Sequence, residues 1–499
     1  MSRRSRVLAI DQGTTSTRAM LFDGSGRSVA TSRRPHPQSY PASGLVEHDP
    51  TRIWNDTVDL CREVLDRAGA AADDVAAIGI TNQRETVVLW DRATGEPVHP
   101  AIVWQDRRTA ETCERLRDEG REEVLRSKTG LLLDPYFSAT KVKWLLDHVE
   151  GARPAAEAGE LAFGTVDSWL LWNLTGGEVH ATDATNASRT LLFDIHEQTW
   201  DEDLLRLFGV PRAILPEVRD SSGLFGHAEP ELLGREIPVT GIAGDQQAAT
   251  FGQAAFGKGL AKLTCGTGAF LLLNTGERAI ASEHRLLTTV AWRLDEEVTY
   301  ALEGSVFSAG SAVEWLRDGL GLVDDVADSE ALARRARPDS SVRLVPAFTG
   351  LGAPHWDPHA RAALVGLTRD TGADEIARAT LEALAFQTAD LVEAMEEDSG
   401  IRPATLRVDG GMSDNAWAMG FLADVLDLPV ERPVEVETTA LGAACLAGLE
   451  VGVYGGLDAI RSASTVDARW EPSLDAERRA SLMAGWRDAV ERVLETSET

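Results

Sequence analysis

The chain has little positive charge, little lysine and little cysteine, and each shortage removes a class of function. Forty-nine Lys and Arg stand against 79 Asp and Glu, a formal net charge of -30 at pH 7. Such a field repels polyanions, so nucleic acid and anionic membrane surfaces are poor partners. Only five of the cations are lysine: Lys128, Lys141, Lys143, Lys258 and Lys262. An acidic, lysine-poor surface suits a salt-rich cytosol and equally an ordinary need for solubility, so it assigns no function. The four cysteines, Cys61, Cys113, Cys265 and Cys445, are scattered, without the spacing of metal ligands or of a disulfide framework. That scatter predicts a reduced, cytoplasmic protein. No apolar run is long enough to span a bilayer, so no integral membrane segment is expected. The opening MSRRSR is basic, but the apolar run after it ends at Asp11, too short for the core of a signal peptide. The pattern GxxxxGK[ST] is also missing, and GxGxxG does not occur in a dinucleotide-binding context, which argues against a P-loop protein and a Rossmann fold.

What is present is ordinary globular material in quantity. At 499 residues, 43% hydrophobic and 26% charged, the chain exceeds what one core supports. Two domains with a cleft between them are expected, divided near residue 252 into 1–252 and 253–499. The start reads strand, tight polar turn, strand: Val7 to Asp11, then Gln12-Gly13-Thr14-Thr15-Ser16-Thr17, then Arg18 to Asp23. Asp49-Pro50 reads as the N-cap and first residue of an amphipathic helix through Val64. Val75 to Thr81 is an apolar strand that runs into the polar loop Asn82-Gln83-Arg84-Glu85. The second half repeats the opening plan: a strand from Gly259 to Thr264, the turn Cys265-Gly266-Thr267-Gly268, and a strand from Ala269 to Asn274. Later, a strand ends in Asp409-Gly410-Gly411 ahead of a helix beginning at Ala416.

Turns of Gly, Thr and Ser bring backbone N–H groups and hydroxyls close to phosphate oxygens. One such turn is an ordinary hairpin; two matched turns together with an Asp-Gly-Gly segment favour a phosphate site. Asp11, at a strand end beside the first turn, is placed to hold Mg²⁺ through its water shell. Asp245, in Gly241-Ile242-Ala243-Gly244-Asp245-Gln246-Gln247, is in isolation a helix N-cap. Arg84-Glu85 in isolation is a solvated surface pair, and Trp104 a core aromatic.

Together these segments resemble the FGGY family of carbohydrate kinases, which share an actin-like ATPase fold. The resemblance is carried by Asp11 to Ser16, Asn82 to Thr86, Val103 to Arg108, Gly241 to Gln247, Val345 to Pro354 and Val408 to Gly411, and runs to about Val451. It implies an α/β protein of two actin-like, ribonuclease H-like domains around an ATP and substrate cleft, using ATP and Mg²⁺ to phosphorylate glycerol as the first step of its catabolism. It further implies that Thr14, Thr15, Ser16 and Arg18 contact the ATP phosphates and that Thr267 and Gly268 form the second phosphate turn. Gly310, Glu314, Gly411 and Asn415 are implied at the nucleoside. On the acceptor side Arg84, Glu85, Tyr136, Asp245 and Gln246 are implied to hold the hydroxyls and Trp104 and Phe270 to wall the carbon chain. Asp245 is the implied general base and, with Asp11, the implied metal ligand. Homodimers or homotetramers are the implied assemblies. Two places depart from the family pattern. Glu314 stands where Gln is common, and Leu233-Gly234-Arg235-Glu236-Ile237 lacks the glycine-rich loop that senses a sugar bisphosphate in some members. A regulatory histidine around Glu231 to Leu233 is also missing.

Overall fold

The computed structural model describes residues 5–357 and 359–497. The basic residues 1–4, on which the reading of the leader partly rests, lie outside the described residues. The first half opens with β1 (Arg6–Gln12), β2 (Ser16–Phe22) and β3 (Ser28–Pro35), followed by α1 (Pro50–Arg67). Asp49 caps α1 as expected, its Oδ1 accepting the N–H of Thr51 at 2.9 Å and of Arg52 at 3.3 Å. After β4 (Val75–Asn82) the chain makes a long excursion, then returns as β5 (Ser222–Ala228), β6 (Ile237–Gly244) and α2 (Asp245–Gly252). These strands form a six-stranded sheet in the order β5-β6-β4-β1-β2-β3. Val7, Leu8, Ala9 and Ile10 are apolar without alternation because both faces of the sheet are covered, and all four are fully buried.

The second half contributes β7 (Ala261–Cys265), β8 (Ala269–Gly276), β9 (Leu287–Leu294), β10 (Glu297–Val306), α3 (Gly310–Asp318), α4 (Asp328–Arg335) and α5 (Ala373–Ser399). It continues with β11 (Leu406–Asp409), α6 (Ala416–Leu426), β12 (Val430–Pro433), α7 (Thr438–Glu450) and β13 (Val466–Trp470). Its seven-stranded sheet has the order β9-β10-β8-β7-β11-β12-β13. The run β3-β2-β1-β4-β6 in the first sheet and β10-β8-β7-β11-β12 in the second follow one plan, two antiparallel pairings and then two parallel ones. This is the duplicated α/β architecture that the two matched turns foretold.

Between the sheets lies a pair of helices. A Cβ on Gly442 of α7 would stand 1.8 Å from the carbonyl oxygen of Ala248 in α2, and one on Gly252 would stand 2.1 Å from that of Thr438. Gly79 and Gly241 admit α7 onto the first sheet in the same way, their added Cβ atoms falling 2.1 and 2.4 Å from backbone atoms of Ala443 and Ala447. Residue 252 therefore closes α2, and α7 reaches back from the second half to cover the first half's sheet. The excursion between β4 and β5 builds a core of its own around Phe137, Phe163 and Phe193, packed against Leu287 and Val290 of β9.

All four cysteines are free and buried. Burial pushes the thiols of Cys61, Cys113 and Cys445 up to about 12 and raises that of Cys265 as well. Among the described residues no helix is long and apolar enough to cross a membrane.

Candidate active site

The parallel strands β1, β4 and β6 end together, with Gln12 opposite Asn82 and Asn82 opposite Gly244. The segments that follow them therefore diverge from one edge of the sheet. Gln83 bridges two of them, its N–H donating to Gln12 O at 2.7 Å and its Nε2 to Gln12 Oε1 at 2.9 Å. Arg84 and Glu85, which alone read as a surface pair, are only 3% and 1% exposed. The Arg84 guanidinium forks onto Glu303 of β10, Nη1 to Oε2 at 2.5 Å and Nη2 to Oε1 at 3.1 Å, and its Nε lies 3.0 Å from Asp245 Oδ1. The ring of Phe270 stands 5.9 Å from the Arg84 Cζ. Glu85 takes a left-handed backbone, φ 61°, which a non-glycine residue adopts only when its surroundings hold it. Arg189 Nε donates to its carboxylate at 2.6 Å and Ser138 Oγ to its carbonyl at 3.0 Å. Burial raises the Glu85 carboxyl, and Arg189 and Arg84 oppose that rise.

Aromatic side chains close this cluster. Trp104 Nε1 donates to Thr14 Oγ1 at 2.9 Å, and the indole meets Tyr136 edge-on at 5.2 Å between centroids. Lys141 holds the turn that carries Tyr136, donating to Pro135 O and to the carbonyls of Tyr136 and Phe137 at 3.0 and 3.2 Å. Burial pushes the Lys141 amine down to about 8. The Tyr136 hydroxyl is raised by burial, with Glu85 adding to the effect, and stays protonated.

Asp245 is the first residue of α2, and the capping position belongs to Gly244. The N-cap reading is thereby corrected: the Asp245 carboxylate accepts only the adjacent N–H of Gln246, at 2.7 Å, and turns to Arg84. Its side chain keeps 29% exposure amid a buried cluster. Gln246 Oε1 accepts from Lys262 Nζ at 2.5 Å, and Lys262 also donates to Thr264 Oγ1 at 2.9 Å. Lysine only donates, so this bond leaves Gln246 presenting its NH₂.

The two turns implied to hold phosphate occupy matching places in the two sheets. In the first, the Gly13 N–H donates to Ser16 O at 3.0 Å, Thr15 is exposed at the tip, and Ser16 Oγ accepts from Arg33 Nε at 3.1 Å. Arg18 pairs with Asp11 at 3.7 Å and with Glu437 at the head of α7. Burial lifts the Asp11 carboxyl to about 6 against Arg18, and the charges of Glu437 and Asp245 add to it. In the second turn Gly266 N–H donates to Gly268 O at 2.9 Å, and the N–H groups of Ala309 and Gly310 donate to the carbonyls of Thr267 and Gly266 at 3.0 and 2.9 Å. A Cβ on Gly268 would meet Val306 O at 2.6 Å, and one on Gly410, φ 82°, would meet Cys265 O at 2.5 Å. A Cβ on Gly411 would meet nothing within 4 Å, which leaves the floor of a cradle open between this turn and α6. Asn415 caps α6 through Oδ1 to the Ala418 N–H at 2.9 Å, and its Nδ2 lies 3.5 Å from Ser329 Oγ in α4. Glu314 is exposed on α3, one turn beyond Gly310. Asp409 accepts from Thr438 Oγ1 through Oδ2, while its buried Oδ1 has no partner.

The implied acceptor residues thus converge in one cluster, and the implied nucleotide residues line two turns and the cradle beside it. Lys262 links the groups, reaching from the second sheet to Gln246. Among the described residues no three His, Cys, Asp or Glu side chains converge to hold a metal ion, and Asp11 and Asp245 supply two carboxylates at most. Such a sparse set fits Mg²⁺, which keeps several waters and takes further oxygens from phosphates. Glu303, Arg189, Lys262, Lys141 and Glu437 escaped the sequence reading. Glu303 had a legible signal, a lone carboxylate in the apolar run Tyr300-Ala301-Leu302-Glu303-Gly304.

Comparison with known proteins accords with this geometry. Residues 6–252 match the model of the N-terminal domain of the FGGY family of carbohydrate kinases, and residues 261–451 match that of its C-terminal domain. The chain is 61% identical over 491 residues to a glycerol kinase of Alcanivorax borkumensis, covering 98% of this chain and 99% of that one. It is 58% identical over 492 residues to a glycerol kinase of Rhodospirillum centenum, covering 99% of each. The crystal structure of Plasmodium falciparum glycerol kinase with ADP superposes with a TM-score of 0.93 at 38% identity over 98% of each chain. A gluconate kinase from Lactobacillus acidophilus shares the fold, TM-score 0.89 at 22% identity over 99% of this chain and 98% of that one. Matched by both family models and by relatives along nearly its whole length, the chain belongs to the FGGY family of carbohydrate kinases.

Proposed function

We propose that this protein transfers the γ-phosphoryl group of ATP to a terminal hydroxyl of glycerol, releasing sn-glycerol 3-phosphate and ADP as the first step of glycerol catabolism. The observation that carries the reading is the acceptor cluster: Arg84 paired with Asp245, with Glu85 and Gln246 adjoining them in the chain, Phe270 beside the Arg84 guanidinium and Trp104 edge-on to Tyr136. A small triol needs convergent donors and acceptors for its hydroxyls and tolerates aromatic walls against its C–H face. The full-length likeness to glycerol kinases supports the choice of acceptor. The work is assigned to the cytoplasm, where ATP and reduced thiols are kept, and to a homodimer or homotetramer with 1–252 and 253–499 as its domains.

In this mechanism Arg84 and Gln246 donate to acceptor hydroxyls and Glu85 accepts from one. Asp245 takes the proton of the attacking hydroxyl on its partly exposed carboxylate. Thr14, Thr15, Ser16 and Arg18 in the first turn, with Thr267 and Gly268 in the second, donate to phosphate oxygens, while Gly310, Glu314, Gly411 and Asn415 border the nucleoside. Asp11 and Asp245 would hold Mg²⁺, whose chemistry here is neutralisation of phosphate charge. Phosphoryl transfer depends mainly on such positioning and neutralisation. Coupled ADP release measured with glycerol, erythritol, xylulose and no acceptor tests the reading. Turnover with glycerol well above the others is expected; preference for xylulose or erythritol would reassign the acceptor, and equal release without acceptor would make the protein an ATPase.

A further inference from the structure

Beneath the acceptor cluster lies a closed ring of four buried charges, and one member comes from the other half of the chain. Glu303 of β10 is fully buried and accepts from Arg84 Nη1 at 2.5 Å, Arg84 Nη2 at 3.1 Å and Arg189 Nη2 at 3.0 Å. Arg189, also fully buried, donates from Nε to Glu85 Oε1 at 2.6 Å, and the ion pair between that oxygen and Arg84 Nε, 3.9 Å apart, closes the ring. Its guanidinium lies 5.7 and 5.3 Å from the ring centroids of Tyr136 and Phe137, and its Nη1 has no hydrogen-bond partner. A buried carboxylate is costly unless paired and hydrogen-bonded. Here burial pushes the Glu303 carboxyl up and the two guanidinium groups override it, holding it at about 2.

Arg84 sets Nε in an ion pair with Asp245 at 3.0 Å and donates both N–H bonds of Nη1 to Glu303 and Gln247 and one N–H of Nη2 to Glu303. A guanidinium is a rigid planar fork, so once Glu303 fixes its plane the last N–H, on Nη2, has a fixed direction. We propose that Glu303 and Arg189 are positioning residues for the acceptor: Glu303 sets the plane in which Arg84 meets both the substrate hydroxyl and Asp245, and Arg189 sets the oxygen of Glu85. This rests on the reading of Arg84 and Glu85 as polyol contacts. Neither residue touches the nucleotide turns, so the effect belongs to one substrate.

Glu303→Gln keeps the shape, removes the charge and turns an N–H toward a guanidinium, which frees Arg84 to leave its plane. Displacement of a binding group by about an ångström costs up to roughly a hundredfold. The expected result is a KM for glycerol raised roughly 10- to 100-fold with the KM for Mg·ATP unchanged. Glu303→Asp keeps the charge but is too short to reach both guanidinium groups, so a smaller rise is expected, which makes it the partial rescue. A purely structural role would lower the melting temperature and leave the KM for glycerol at its wild-type value. Folded variants with that value overturn the proposal, and so does failure of both variants to fold, which would give the carboxylate to the fold alone. Wild-type protein that ignores glycerol would fault the functional reading instead. The same variants are then measured with whichever acceptor supports ADP release, and with none both readings fall.

Discussion

At position 245 a carboxylate faces Arg84 and accepts only the adjacent N–H of Gln246, while Gly244 holds the capping position, and this separates two roles that the chain alone could not. Asn caps a helix about as well as Asp but cannot take a proton as a carboxylate does. Asp245→Asn is therefore expected to lower turnover at saturating glycerol and Mg·ATP by roughly 10²–10⁴-fold with the fold intact. Near wild-type activity in the folded variant would remove Asp245 from the mechanism. A second residue gives a pH signature. Burial raises the Asp167 carboxyl to about 7, against hydrogen bonds from Thr165 and Thr182. The folded state then holds a proton that the unfolded state has lost between the usual carboxylate range and pH 7, so this contribution to stability is lost as pH rises through that window. Asp167→Asn does not titrate, and its melting temperature relative to wild type is expected to rise between pH 5 and pH 8; a constant difference would sink the assignment. Arg84 and Glu85 show why single residues were hard to read. Their burial is set by Glu303 and Arg189, which stand 219 and 104 positions away from Arg84 and Glu85. No local pattern records partners at that range, and only the likeness to a family pointed to these residues.

At the scale of elements, the strands and turns were largely legible because their signals are local. The Gly and Thr turns, the Asp49-Pro50 helix start and the Asp-Gly-Gly strand end are chemistry within a few residues of the structure they make. The packing of α2 against α7 was not legible, since small residues such as Gly442-Ala443-Ala444 promise close approach without naming the partner. The structure turns that contact into a stability prediction. An alanine at Gly442 would press its Cβ 1.8 Å from the backbone oxygen of Ala248, which only separation of the helices relieves. Overpacking of this kind costs about 1–3 kcal/mol, and more where backbone rather than side chain must move. Gly420→Ala in α6 is the control, because its Cβ would have only Trp470 nearby at 3.7 Å. There alanine's better helix propensity is worth up to about 1 kcal/mol. Melting curves should show Gly442→Ala falling and Gly420→Ala level or higher; the reverse order would mean the helix pair is looser than described.

For the molecule as a whole, the proposed acceptor and nucleotide groups are divided between two sheets that share a helix pair. Arg84 is tied to Glu303 at the base of the site, and Arg18 to Glu437 at the head of α7. Ligands that touch both halves favour the arrangement with the halves closer, and closure excludes water that would otherwise hydrolyse ATP. Small-angle scattering is expected to give a smaller radius of gyration with glycerol and a non-hydrolysable ATP analogue than without them, and an unchanged value would count against closure. The duplicated architecture was legible from two matched turns, whereas the return of α7 onto the first sheet was not, because topology of that range leaves no periodic trace. The sheltered thiols have a practical side. A thiol reacts as its thiolate, and each native one is both covered and held in its protonated form at neutral pH. The folded protein is in effect a cysteine-free background, so a pair of cysteines introduced on the surface of the two sheets would be its reactive pair. Dyes or spin labels could then follow the distance between the halves through a catalytic cycle with no native cysteine removed.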